Sequence, residues 1–192
     1  DVKAEDIRCG QELGYTLKLL AIAKRDGLKV ETRVHPTFIR NDHPMANVSG
    51  AFNAIFLTGH ACGEMMFMGR GAGDMPTASA LVSDLVRAAS NQKHFYPTFS
   101  NELHPAAHLE RNADWQSAFY VRALALDEPG VLSKIAQTFA NHGVSIAAMQ
   151  QKGERLNGHV TVVFITHKAM ETEMQKAIRE IPREVATVES LI

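Results

Sequence analysis

The strongest constraint on the fold lies between Ala118 and Ile192, where the hydrophobic periodicity changes in a fixed order. "AFYVRALAL" reads as a strand, "PGVLSKIAQTFANHG" as a helix, "VSIAAMQQ" and "HVTVVFIT" as two strands, "AMETEMQKAIREI" as a second helix and "EVATVESLI" as a last strand. Val131, Leu132, Ile135 and Phe139 form one apolar stripe, which Gly143 ends in a C′ position, and Met170, Met174, Ile178 and Ile181 form another. Helices with a single apolar face pack on one side of a sheet, so this β-α-β-β-α-β order predicts the ferredoxin-like plan. The opposite sheet face then needs a cover. With Val162 and Phe164 on one side or the other, pairing with a second copy or another domain is expected.

The first half has a different grain. "AEDIRCGQELGYTLKLLAIAKRDG" opens on acidic residues, places Leu13, Leu17 and Leu20 at helical spacing and closes on Lys24, Arg25 and Gly27. These are the start and stop signals of a helix over Ala4–Asp26. "LKVETRVHP" alternates until Pro36, and "VSGAFNAIFLTG" and "CGEMMFMG" are apolar runs closed by glycines. They predict three strands, the last two joined by a short turn near Gly59. Pro76, with its fixed φ and missing N–H, suits the first turn of a helix over Thr77–Ala89. From Asn91 to Trp115 the periodicity stops, and a polar stretch with two prolines reads as an interdomain linker. The expectation is an α+β chain with domains at 1–90 and 116–192.

A chain of 192 residues, 45% of them hydrophobic, can bury two small cores. Twenty Lys and Arg against 21 Asp and Glu leave no field that would draw in a polyanion, so no nucleic-acid partner is expected. No apolar run approaches the roughly 20 residues of a membrane span. Cys9 and Cys62 stand in no redox or metal spacing, and the sequence opens on nothing resembling a signal peptide; a soluble, cytoplasmic protein is expected.

"GRGAGDMPTAS", from Gly69 to Ser79, is the segment most open to a ligand. Glycines let a backbone approach closely, and a helix start beyond them adds partial positive charge. A dinucleotide fingerprint, however, wants G-x-G-x-x-G between a strand and its helix, and this run gives G-x-G-x-G and then Pro76. On these residues a structural turn and a ligand cradle both stand. His104 and His108 lack a third ligand, so no metal is expected. His35 and His43, each before a proline, are expected to fix turns at strand ends. Cys62 reads as a small core residue, and Asn53, interrupting an apolar strand, as a buried polar group in a hydrogen-bond network at a subunit interface. Lys18 and Lys24 read as solvated side chains.

"LDEPGVLSKIAQTFANHGVSIAAMQQ" resembles the ACT domain, a small amino-acid-binding regulatory module, through its D-x-P-G-V-L turn and G-V-x-I-A strand. "EDIRCGQELGYTLKLLAIAK", "RVHPTFI", "DHPMANVSGAFNAIF" and "GRGAGDMPTASALVSDLV" are similar to successive blocks of the catalytic domain of homoserine dehydrogenase. The resemblance implies the later part of a longer enzyme. The family's Rossmann fingerprint and its D-V-x-G-x-D-x-x-x-K helix, which supplies the catalytic lysine, do not occur in these residues. No catalytic residue is therefore assigned here, and the chain alone is expected to be inactive.

By the same resemblance Gly71, Ala72 and Gly73 lie beside the nicotinamide end of NAD(P) in the complete enzyme, as half of a site. The parent reaction implied is reversible reduction of aspartate semialdehyde to homoserine. In the ACT segment, Asp127, Gly130, Val131 and Ser145 are implied to hold an effector, with L-threonine, the pathway's end product, the expected inhibitor. A homo-oligomer, at least a dimer, is implied by the strands of residues 29–68. A free-standing amino-acid sensor and a pure assembly module remain as rival readings, which the blocks from Glu5 to Val86 disfavour.

Overall fold

A computed structural model describes residues 2–90 and 110–192. In chain order the elements are α1 (Ala4–Glu12), β1 (Tyr15–Asp26), β2 (Lys29–Arg40), a 3-10 turn (Pro44–Asn47), β3 (Phe52–Gly59), β4 (Gly63–Arg70) and α2 (Asp74–Ala89). After them come β5 (Glu110–Arg111), β6 (Gln116–Ser117), β7 (Tyr120–Leu126), α3 (Val131–Asn141), β8 (Ile146–Leu156) and β9 (His159–Thr166). β10 (Ala169–Met170), α4 (Glu171–Glu180) and β11 (Ala186–Leu191) complete the order. Two compact units result, one formed by Asp1–Phe38 with Leu109–Ile192, the other by Ile39–His108.

In the first unit, β11, β7, β9 and β8 form a four-stranded antiparallel sheet in that order. The expected βαββαβ plan is present. Val121, Ala123 and Ala125 of β7 and Val162 and Phe164 of β9 face α3 and α4, where Ile135, Phe139 and Met174 are almost fully buried. Phe139 meets Phe164 edge-on at 5.5 Å between centroids. Gly143, at φ 68°, sits one residue past the α3 C-cap, where a left-handed residue ends a helix without strain.

The opposite face is covered from within the chain. Val162 and Phe164 belong to the helix side, while Tyr120 and Val163, on the other side, pack with Cys9, Leu13 and Phe38. Arg122, in the middle of β7, also points there and is fully buried. Its Nε donates to Asp6 Oδ1 at 2.6 Å, and Asp6, equally buried, accepts from the Tyr120 hydroxyl at 3.1 Å and the Lys3 backbone N–H at 2.8 Å. Glu189 of β11 and Glu5 of α1 pair with the same guanidinium. Burial pushes the Asp6 carboxyl up, but the Arg122 and Lys3 hydrogen bonds outweigh it and hold the pKa below its usual 3.8. Tyr120 is driven the other way, by burial and by the Asp6 charge.

The helix expected over Ala4–Asp26 ends at Glu12, and Tyr15–Asp26 is a strand beside β2. Gly14, at φ 83°, makes the break. A glycine inside a helix costs about 1 kcal/mol against alanine, and Gly10 and Gly14 together weaken the helical option for a segment that sheet pairing can claim. Nor does Pro36 end β2, which runs on to Arg40. β5 pairs only with Lys29 and Val30, so farther along one side of β2 has no ladder partner among the described residues and tolerates a missing N–H. His35 consequently lies inside a strand rather than at a turn. His43 does hold a turn, accepting the Met45 N–H at the start of the 3-10 turn. Of the segment 91–115, residues 91–109, with His104 and His108, lie outside the described residues, and Glu110–Arg111 form a short parallel strand on β2.

In the second unit, β3 and β4 form the expected hairpin, with Gly59 opposite Gly63. Cys62 is exposed in its turn rather than buried. Large apolar side chains stay open on the hairpin and on α2: Ile55 is 62% exposed, Phe67 60%, Leu81 63% and Leu85 61%. Apolar groups this bare on neighbouring elements mark a surface built to be covered.

Candidate functional site

The glycine segment turns the chain from β4 into α2. The Gly71 N–H donates to the Ala51 carbonyl at 2.9 Å, which ties the turn to the start of the hairpin. A Cβ on Gly71 would sit 1.7 Å from Asn53 Nδ2, so any side chain here makes the exposed Asn53 amide move. Asn53 is exposed in the single chain, with its amide beside the Gly71 turn. Gly73 takes φ 123°, a conformation that favours glycine, and is the N-cap of α2. Its carbonyl accepts from both the N–H and the hydroxyl of Thr77, at 3.1 and 2.8 Å.

α2 therefore begins at Asp74, three residues before the expected start, with Pro76 inside its first turn. Gly71, Ala72 and Gly73 are consecutive, exposed, and followed directly by a helix N-terminus. An open backbone turn, bare of side chains beyond one methyl group, lets a flat ring approach closely, and the helix N-terminus beside it adds partial positive charge. Such a surface offers approach and orientation; a proton donor or acceptor has to come from elsewhere.

In the first unit, Asp127 and Gly130 lie on the loop between β7 and α3, and Val131 opens α3. Asp127 donates its N–H to the Gly158 carbonyl at 2.9 Å, and Val131 donates to the Glu128 carbonyl at 3.3 Å. Gly130 is the N-cap of α3, left-handed at φ 89°, and no side chain caps the helix. Ser145 is exposed, just before β8. Pairing register separates it from the loop: Leu126 lies opposite His159 and Ile146 opposite Thr166, at the two ends of β9. Within one chain Ser145 is thus at the far end of the sheet from Asp127, and only Asp127, Gly130 and Val131 are brought together.

No group of three or more His, Cys, Asp or Glu among the described residues is placed to hold a metal ion. No helix among them is long and apolar enough to cross a membrane.

Comparison with known proteins assigns both halves. Residues 1–86 match the homoserine dehydrogenase family model and residues 119–183 the ACT domain model. The chain is 37% identical over 190 residues to homoserine dehydrogenase from Synechocystis sp., covering 94% of this chain and 44% of that protein. Against homoserine dehydrogenase from Bacillus subtilis the identity is 36%, over 92% of this chain and 41% of the relative. The crystal structure of a homoserine dehydrogenase from Thiobacillus denitrificans superposes with a TM-score of 0.77 at 34% identity, over 98% of this chain and 44% of that one. The chain spans less than half the length of these relatives. Two family domains in tandem, matched again by a solved structure across nearly all 192 residues, mean that the chain belongs to the homoserine dehydrogenase family, with an ACT domain following the dehydrogenase segment.

Proposed function

We propose that this chain serves an NAD(P)-dependent oxidoreductase that interconverts L-aspartate 4-semialdehyde and L-homoserine, and that its ACT domain makes the enzyme responsive to L-threonine. The observation that carries this reading is the tandem of a dehydrogenase segment and an ACT domain on one chain. The hydride chemistry is the cofactor's. Gly71, Ala72 and Gly73 would form the backbone wall on which the nicotinamide end rests, while the α2 N-terminus adds partial positive charge. Nothing among these residues takes up the substrate proton, so the chain alone should show no turnover with homoserine and either nicotinamide cofactor; measurable turnover would contradict this division of labour.

The oligomer in this reading is at least a dimer. Ile55, Phe67, Leu81 and Leu85 supply apolar surface for a subunit interface, and β8 is an unpaired sheet edge. Antiparallel pairing of two β8 edges would carry Ser145 of the partner subunit toward the Asp127 end of the sheet, because the two strands then run in opposite directions. Threonine would lie there with its ammonium on Asp127 and its carboxylate toward the backbone N–H groups near Gly130 and Val131. The Val131 N–H already has a carbonyl partner at 3.3 Å, so part of that carboxylate contact is an exchange rather than a gain.

Calorimetric titration of the chain with threonine, with isoleucine as control, tests the assignment. Asp127→Ala should weaken threonine about ten- to a hundredfold, the loss of one charge-assisted hydrogen bond worth about 1.5–3 kcal/mol. Unchanged binding in the variant would move the site elsewhere. No heat from threonine at millimolar concentration would leave the ACT domain an assembly role only.

A further inference from the structure

β8 and β9 are joined by the only Asn-Gly pair in the sequence, Asn157-Gly158. Leu156 lies opposite His159, so the loop is two residues long. Asn157 takes φ 50° and Gly158 φ 80°, a left-handed pair that lets a two-residue hairpin turn follow the twist of its strands. Among the described residues Asn157 is the one non-glycine with positive φ, and it is exposed.

Two hydrogen bonds make this turn more than a connector. The Gly158 carbonyl accepts the Asp127 N–H at 2.9 Å, and Leu126 pairs with His159, so the turn anchors the first residue of the loop that leads into α3. On the other side, His159 Nδ1 lies 3.0 Å from the Asn157 carbonyl oxygen. A carbonyl only accepts, so Nδ1 carries the proton and donates. That oxygen and the Gly158 nitrogen belong to one peptide group, and a donor held on the oxygen stabilises the negative charge that spreads over the group when its nitrogen loses a proton.

We propose that Asn157 is a self-modification site, at which the turn converts its own asparagine to isoaspartate and aspartate with assistance from His159. The Gly158 nitrogen gives its proton to solvent and attacks Asn157 Cγ, closing a cyclic imide; water returns a proton to the side-chain nitrogen, which leaves as ammonia. A second water opens the ring. Attack at the former main-chain carbonyl gives isoaspartate and attack at the former side-chain carbonyl gives aspartate, so the net change is one water taken up and one ammonia released. The turn has to open locally for the two atoms to meet, and an exposed hairpin end does so readily. Glycine at 158 puts no side chain in the way of the closing ring. Isoaspartate lengthens the main chain inside a two-residue turn, which displaces the Gly158 carbonyl from the Asp127 N–H. The site stands apart from the threonine reading, and its test needs no effector.

Incubation of the chain at mildly alkaline pH, followed by peptide mapping, mass spectrometry and isoaspartyl methyltransferase labelling, tests this. Asn157 should react ahead of every other asparagine in the sequence. His159→Phe, which keeps a ring but no donor, should slow the reaction about tenfold, the effect of losing a hydrogen bond to a developing charge. In urea the parent and His159→Phe should react alike, because the hydrogen bond is gone from both. In the modified protein the Asp127 N–H should exchange with deuterium at least about tenfold faster, whereas Asn157→Gly, which keeps the left-handed turn and cannot react, should exchange like the unmodified parent. The proposal is overturned if other asparagines react before Asn157, if folded His159→Phe reacts as fast as the parent, if their difference persists in urea, or if the modified protein keeps the parent's exchange at Asp127.

Discussion

Asp6→Ala should cost the first unit about 3–5 kcal/mol of stability, the loss expected when one partner of a buried ion pair is removed and the other charge stays behind. Arg122 is fully buried, and without Asp6 its remaining carboxylates, Glu5 and Glu189, are partly exposed. Tyr120 would lose its acceptor as well. Urea unfolding followed by circular dichroism measures the change. A double replacement, Asp6→Leu with Arg122→Met, should recover most of the loss, since apolar residues of similar volume can replace such a pair at little cost. If the single variant instead lost less than about 1 kcal/mol, the range of exposed pairs, water would have to reach the guanidinium. Acid provides a second readout. Because the Asp6 pKa is depressed in the folded state, its stabilisation is present in full above the usual value of 3.8 and is lost as pH falls below it, through the folded value. Asp6→Ala should therefore flatten that part of the pH–stability curve.

In the complete enzyme, Gly73→Val should lower kcat/KM by about a hundredfold while leaving most of the fold intact. Valine at φ 123° is strained, at a cost of about 1–3 kcal/mol, and its Cβ would also lie 3.4 Å from the Pro76 ring. The strain alone lowers stability. A displacement of about 1 Å in the nicotinamide wall is what would produce the hundredfold kinetic loss. Melting curves and steady-state kinetics of the same variant separate the two. Should the variant melt earlier yet keep the parent KM for the cofactor and the parent kcat, the turn would be structural only. Gly71 offers a cross-check, since the clash there is with the exposed Asn53 amide: Gly71→Ala combined with Asn53→Ala should fold better than Gly71→Ala alone.

The ferredoxin-like sheet was legible because its signals are local. Each helix stripe is complete within one segment, and Gly143 marks the helix end at the position the sequence indicates. The segment Tyr15–Asp26 was not, because Leu13, Leu17 and Leu20 satisfy a helical spacing that the pairing of β1 with β2 overrides. Gly10 and Gly14 were the available warning. The cover over Tyr120 and Val163 was hidden for another reason: it comes from Cys9, Leu13 and Phe38, far back along the chain, which no periodicity connects. One local sign did exist, in that Arg122 interrupts an apolar strand and so required a buried partner of opposite charge. The glycine turn was visible as a turn, but not that the Asn53 amide, from across the hairpin, lies where a Gly71 side chain would go.

The Asp6–Arg122 pair spans 116 positions, and the same guanidinium reaches 67 positions farther on, to Glu189. On the ribosome this has a definite order of events. Asp6 is made before Arg122 and stays hydrated while β1 to β6 are made. Arg122 then appears with Glu5 and Asp6 to hand and without Glu189. Strand β7 cannot bury its charge with every partner in place until β11 has also left the exit tunnel. Contacts this distant along the chain carry a large loop-closure cost before they yield any stability, which makes the last step of assembly the slow one. Until that step the nascent chain displays Tyr120, Val163 and the inner side of α1 to solvent, so this protein's exposure to chaperones and to misassembly is set by the time needed to translate from the seventh strand to the eleventh.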